Sequence, residues 1–183
     1  MITSIKKSIM LMALVITLVS CNQGPTLQTY FVDNELNPGF ISGDVPASII
    51  NIEEIENLTD DQKEAYESID KLNILAYQIN ETNKADYEVE LKKVKEILKN
   101  EKYEELMRGG NTSDGKFVIK FIGESETSID ELILFGDAKD KGFVVARVLG
   151  DDMNAGKLMK LSGVLEQADL DNDQLESFKN FFK

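Results

Sequence analysis

The groups best able to do chemistry in this chain are one thiol, 33 carboxylates and two guanidiniums, with no imidazole to work beside them. The missing histidine removes Ser-His-Asp and Cys-His catalysis in their usual forms, and with them the commonest zinc ligand. Two carboxylates could still serve as acid and base, as in glycosidases. Among 33 acidic residues, however, no pair stands out by spacing, and most read as solvated helix faces. Asp169, Asp171 and Asp173 fit the first three ligand positions of an EF-hand calcium loop. The sixth position, which needs glycine, is Gln174, and the twelfth, which needs glutamate, is Asn180. The run therefore reads as an aspartate-rich helix start, favoured by capping and the helix dipole. Gly109-Gly110 lacks the Lys-Ser or Lys-Thr of a phosphate loop and reads as a helix terminus. Arg108 and Arg147 are the only arginines; Arg147 could clamp an anion, but a pairing with Glu131 accounts for it more simply. Gly150-Asp151-Asp152-Met153-Asn154 lies where a strand gives way to a helix, and loops at such edges often bind ligands. Asp151 or Asp152 is nonetheless the natural N-cap there. No catalytic residue, metal site or cofactor is expected.

The thiol belongs to different chemistry. Lys6 and Lys7 precede an apolar stretch from Ile9 to Val19, which ends in Leu18-Val19-Ser20-Cys21. That stretch is about half of the roughly twenty residues a membrane span needs, so it reads as an export signal. Its end resembles the lipobox of bacterial lipoproteins. Leu18 suits an apolar subsite, small Ser20 suits the cleavage position, and Cys21 offers the thiol to which diacylglycerol is attached. An ordinary signal followed by a free cysteine is the plainer alternative; position, flanks and the uniqueness of Cys21 argue against it. No disulfide can close within a chain of one cysteine, so the exported domain must be held by its hydrophobic core.

Anchoring must come from lipid and not from charge. The chain carries 20 basic and 33 acidic residues; without Lys6 and Lys7 the balance is 18 against 33, or −15. Such a surface is repelled by anionic headgroups and by nucleic acid, so no nucleic-acid partner is expected. Asn22 follows Cys21 where aspartate would resemble an inner-membrane retention signal, and no acidic run follows. The expected location is the periplasmic face of the outer membrane.

Three regions result: a signal peptide over 1–20, a lipidated N-terminus and tether over 21–29, and a single domain over 30–183. Thr59 and Gln62 form a capping box for a helix near Asp60 to Leu72 that lines up Ala65, Ile69 and Leu72. Asn83 can cap a second helix, in which Tyr87, Leu91, Val94 and Leu98 make a buried stripe that Tyr103, Leu106 and Met107 continue or follow. Leu158, Leu161 and Leu165 form a further stripe; Leu175, Phe178 and Phe182 form a last one behind an Asp173/Glu176 cap. Strands are predicted over Phe40 to Val45, Asn73 to Ile79, Lys116 to Ile122, Ile129 to Gly136 and Gly142 to Leu149. The last three make a meander, giving an α+β fold: an antiparallel sheet with helices packed on one face.

Pairing Gly136 with Gly142 sets Phe135 opposite Phe143, Ile133 opposite Val145 and Glu131 opposite Arg147. Pairing Ile119 with Leu132 brings Lys120 into the same charged row. The face carrying Phe117, Ile119, Phe121, Leu132, Leu134, Val144, Ala146 and Val148 is the one expected under helices. The second face, carrying Lys120, Ile133, Phe135, Phe143 and Arg147, is left open as solvated or covered; if exposed, Ile133, Phe135, Phe143 and Val145 would make an apolar patch large enough to suggest an interface.

The stretches Leu27 to Val32 (LQTYFV), Asp70 to Tyr77 (DKLNILAY), Tyr103 to Met107 (YEELM) and Val144 to Asn154 (VVARVLGDDMN) resemble a family of small exported proteins of Gram-negative bacteria. It is classed as domain of unknown function 4252. The resemblance runs from Leu27 to Lys183 in the family's order, and its motifs are structural. It implies a periplasmic or membrane-attached protein and supplies no functional residues. Some members are encoded near sigma-factor genes, which points to envelope-stress or regulatory roles.

The function expected is a non-catalytic binding or interaction module of the cell envelope, anchored through lipid on Cys21 and meeting an envelope protein. A carrier of a small apolar ligand held between sheet and helices is the first alternative. A histidine-free carboxylate hydrolase is the second.

Overall fold

A computed structural model describes residues 24–49, 52, 55, 57–111, 115–138 and 140–165, with side chains up to 163. The signal, Ser20 and Cys21 lie outside the described residues, as do Asp169, Asp171, Asp173, Glu176 and the Leu175/Phe178/Phe182 stripe. In chain order the elements are α1 (Leu27–Asn34), β1 (Phe40–Pro46), a 3-10 turn (Ala47–Ile49), α2 (Asp60–Glu67), β2 (Ile69–Gln78) and α3 (Lys84–Ile97). They continue as β3 (Glu104–Asn111), β4 (Gly115–Ser125), β5 (Ser128–Ala138), β6 (Gly142–Met153) and α4 (Ala155–Leu165). The six strands form one antiparallel sheet in the order β1-β2-β6-β5-β4-β3. The chain crosses from β2 to the far edge through α3, then winds back until β6 pairs with β2. The fold is α+β, with the antiparallel meander at its centre.

The local signals explain the helices. Thr59 accepts the Gln62 backbone N–H and the Gln62 side chain answers on the Thr59 N–H, closing the capping box of α2. This helix is shorter than its apolar spacing suggested, ending at Ser68. Ile69 and Leu72 belong to β2, because β1 and β6 offer ladders on both its sides. Tyr87, Leu91, Val94 and Leu98 are buried along α3 as their spacing requires. Asn83 precedes α3 without capping it; it spans the turn, accepting from Asn80 N–H and donating to Gln78 C=O, both at 2.8 Å. At α4, β6 runs on through Asp151 and Asp152, so the cap is Asn154, which accepts from Lys157 N–H at 3.1 Å. The domain begins earlier than Tyr30, since α1 starts at Leu27, a fully buried residue.

The spacing lets Tyr103, Leu106 and Met107 continue or follow the helix and makes Gly109-Gly110 a helix terminus, and here the structure corrects the sequence. Glu104–Asn111 is an edge strand that extends the meander to four strands. Gly110 adopts φ +96°, and a Cβ there would stand 2.3 Å from Gly115 O, so it lets the end of β3 close on β4 and ends no helix.

The register is offset by two residues from the one expected. Gly136 pairs with Val144, Phe135 with Val145 and Ile133 with Arg147, while Ile119 pairs with Leu134. The hairpin closes between Ala138 and Gly142, tighter than a Gly136–Gly142 closure. A shift of two preserves the faces, because side chains alternate with period two.

Helices cover both sides of this sheet. Leu27, Tyr30 and Phe31 of α1 and the α3 stripe pack on Leu75, Tyr77, Ile133, Phe135, Phe143 and Val145. The face left open in the sequence reading is thus the main core. Phe40, Tyr77, Tyr87, Phe135 and Phe143 fill it, with ring centroids 4.8–6.4 Å apart. Each such ring contributes roughly 1.5–3 kcal/mol by burial. The opposite face, expected under helices, is covered at one end by α2 and α4, through Ala65, Leu158 and Leu161 on Phe121, Leu132 and Val148. Both faces of the central strands are apolar, so each needs its own helical cover.

Candidate functional site

Arg147, the strongest anion-binding candidate in the sequence, is fully engaged. It is 4% exposed and donates to both Glu131 carboxylate oxygens, at 2.7 and 3.2 Å. Its third contact is Gln28 Oε1 at 2.8 Å, and the Phe31 ring lies 5.2 Å from the guanidinium carbon. Next to it in the ladder, buried Asn73 donates to Asp44. This buried polar row fixes α1 and β1 on the sheet. Lys120, expected beside Glu131, instead donates from Nζ to the Tyr103 carbonyl at 2.6 Å, opposite Ile133 in the ladder.

Other titratable groups are spent in the same way. Tyr30 O–H donates to Glu90 and Tyr87 O–H to Asp137, both at 2.8 Å. Burial, then the carboxylate partner, pushes both phenols well above the ordinary tyrosine range. Asp137 also takes an ion pair from Lys95 at 2.7 Å. Asp152 accepts from Ser128 O–H at 2.6 Å and Asp151 N–H bonds the Ser68 carbonyl, so the Gly150–Asn154 segment ties the β6 end to its neighbours. Among the described residues no group of three or more Cys, Asp or Glu is placed to hold a metal ion. Nor is any of their helices long and apolar enough to cross a membrane.

What the fold does assemble is a groove of about 430 Å³ between the end of α3 and the outer strands β3 and β4. Leu98, Val118 and Phe135 form its floor; Val118 and Phe135 are direct cross-strand partners on the α3 side of the sheet. Around them stand Lys95, Lys99, Arg108, Lys116 and Lys120, against only Glu105 and Asp137. Five cations to two carboxylates is a local inversion of a chain whose net charge is −13. Both carboxylates are held by cations: Asp137 by Lys95, and Glu105 by Arg108. The Arg108 hydrogen bond holds the Glu105 carboxyl below the usual range and raises Arg108 in turn. The Lys116 side chain is exposed and makes no hydrogen bond or ion pair among the described residues, although Asp137, its cross-strand neighbour on β5, is held by Lys95.

The sequence reading missed this groove. Its signal was present in two halves: Lys95 in the last turn of α3 with Lys99 just past the helix end, and Lys116, Val118 and Lys120 on one face of a strand. Joining them required the α3 side of the sheet and the strand state of β3, which spacing alone did not supply.

The family described as domain of unknown function (DUF4252) matches residues 35–161. That span takes in β1 to β6, α2, α3 and most of α4, together with three of the four stretches on which the resemblance rested; Leu27 to Val32 precedes it. No curated protein matches the chain. With more than two thirds of its length matched, the chain belongs to the DUF4252 family.

Proposed function

We propose that this protein is a non-catalytic binding module of the cell envelope, processed at Ser20-Cys21 and anchored by lipid on Cys21 to the periplasmic face of the outer membrane. The observation that carries the binding role is the groove beside α3. It brings cations around an apolar floor in an otherwise acidic protein, and Lys116 stands there without a partner among the described residues. A net positive charge around a low-dielectric floor focuses the field and draws an oppositely charged partner. The groups with the greatest chemical potential, Arg147, Glu131, Tyr87 and Asp137, are instead committed to holding helices on the sheet. A tethered domain of this kind acts by holding something.

Photo-crosslinking tests the reading in living cells. A photoreactive residue at position 116 should give a discrete adduct, and the same residue at exposed Glu67 on α2 should give none. Equal labelling at both positions, or none at 116, would contradict a binding role for the groove.

A further inference from the structure

We infer that the groove takes a single-chain amphiphile with an anionic headgroup, of which a medium- or long-chain carboxylate is the simplest form. This rests on the reading of the groove as the binding site and names the chemistry it selects. Its volume, about 430 Å³, falls within the roughly 300–1,000 Å³ of small-molecule pockets. A hydrophilic anion would satisfy the lysines but leave Leu98, Val118 and Phe135 against water. An uncharged alkyl chain would cover that floor but leave the lysines unmatched. An alkyl chain ending in an anion satisfies both at once.

The headgroup belongs at Lys116. Among the lining cations, Lys95, Lys99 and Arg108 each hold a carboxylate: Asp137, Glu96 and Glu105. Lys120 holds only the Tyr103 carbonyl, which leaves its ammonium two further donors. The Lys116 side chain holds nothing among the described residues, and lies four positions from Lys120 on the same face of β4, roughly 13 Å away along the strand with Val118 between them. An anion held by Lys116 sits at one end of this row, and its alkyl chain runs over Val118, Phe135 and Leu98, with the Lys120 ammonium adding positive charge at the far end. Elsewhere the acidic surface repels such a ligand, so the groove is also its entry point.

The test is a titration of the chain from Asn22 to Lys183, which contains every described element and both helix-covered cores. The probe is dodecanoate below its aggregation range, followed by calorimetry. Dodecyltrimethylammonium supplies the chain with the opposite charge, and acetate supplies the anion without the chain. One saturable site for dodecanoate alone is expected, weakened at least tenfold by Lys116→Glu and again by Val118→Asp. Lys116 is exposed, so its reversal leaves the fold intact by circular dichroism. Equal affinity in the Lys116→Glu variant, equal binding of the cationic chain, or no dodecanoate binding would overturn the proposal. If dodecanoate fails while a protein is crosslinked at position 116, the ligand class falls and the binding module stands. If both experiments fail, both readings fall.

Discussion

The guanidinium of Arg147 grips the carboxylate of Glu131 from a diagonal position, two residues away from its direct ladder partner Ile133. Both side chains are nearly sealed, at 5% and 13% exposure, beneath α1. Removing one partner leaves an unpaired buried charge, which costs about 3–5 kcal/mol, whereas replacing both by apolar groups is often neutral. Glu131→Ala should therefore lower unfolding stability by about 3 kcal/mol in urea, and adding Arg147→Met should restore most of it. Equal losses in the single and double variants would show that packing, not the charge pair, sets the cost.

The buried phenols make the fold sensitive to alkali. Tyr30 and Tyr87 titrate well above their unfolded value of about 10. The unfolded chain then loses protons first, so their contribution is fully present below about pH 10 and is lost as pH rises toward the folded values. The slope is about 1.4 kcal/mol per pH unit for each group. Replacing both with phenylalanine should flatten the fall in urea midpoint above pH 10. An unchanged slope would place the alkaline sensitivity elsewhere.

The turn between β3 and β4 should discriminate between adjacent glycines. At Gly110, with φ +96°, an added Cβ would meet backbone at 2.3 Å. At Gly109 it would meet only the Phe117 ring at 2.6 Å, and that ring is 43% exposed and can swing away. Gly110→Ala should cost about 2 kcal/mol or more, and Gly109→Ala clearly less. Thermal melts of the two variants, with equal losses, would contradict the assigned turn.

Lipid attachment makes a separate prediction. Cells fed labelled palmitate should label the wild-type chain and leave Cys21→Ser unlabelled, with the variant lost from the outer-membrane fraction. Labelling that survives Cys21→Ser would place the lipid elsewhere.

How far the fold could be read from the sequence depended on the range of the interaction that decided it. The Thr59/Gln62 box and the Tyr87–Leu98 stripe are local, and both stand in the structure. Apolar alternation set which residues share a face, so Glu131 and Arg147 were rightly placed together, but not how far a hairpin closes. Glu104, Glu105, Leu106 and Met107 favour helix locally. Their strand state comes from pairing with β4, a tertiary choice. The main core face could not be chosen because β2 and β6 are apolar on both sides. The groove inherits that difficulty, since its cations lie on α3, the turn after it, β3 and β4, between Lys95 and Lys120.

Whether the groove is filled in the cell can be read by native mass spectrometry of the chain after export to the periplasm and detergent-free purification. An added mass matching an acidic single-chain amphiphile is expected, absent from the Lys116→Glu/Lys120→Glu variant. A bare mass for the wild-type protein, or an adduct that survives both charge reversals, would contradict it.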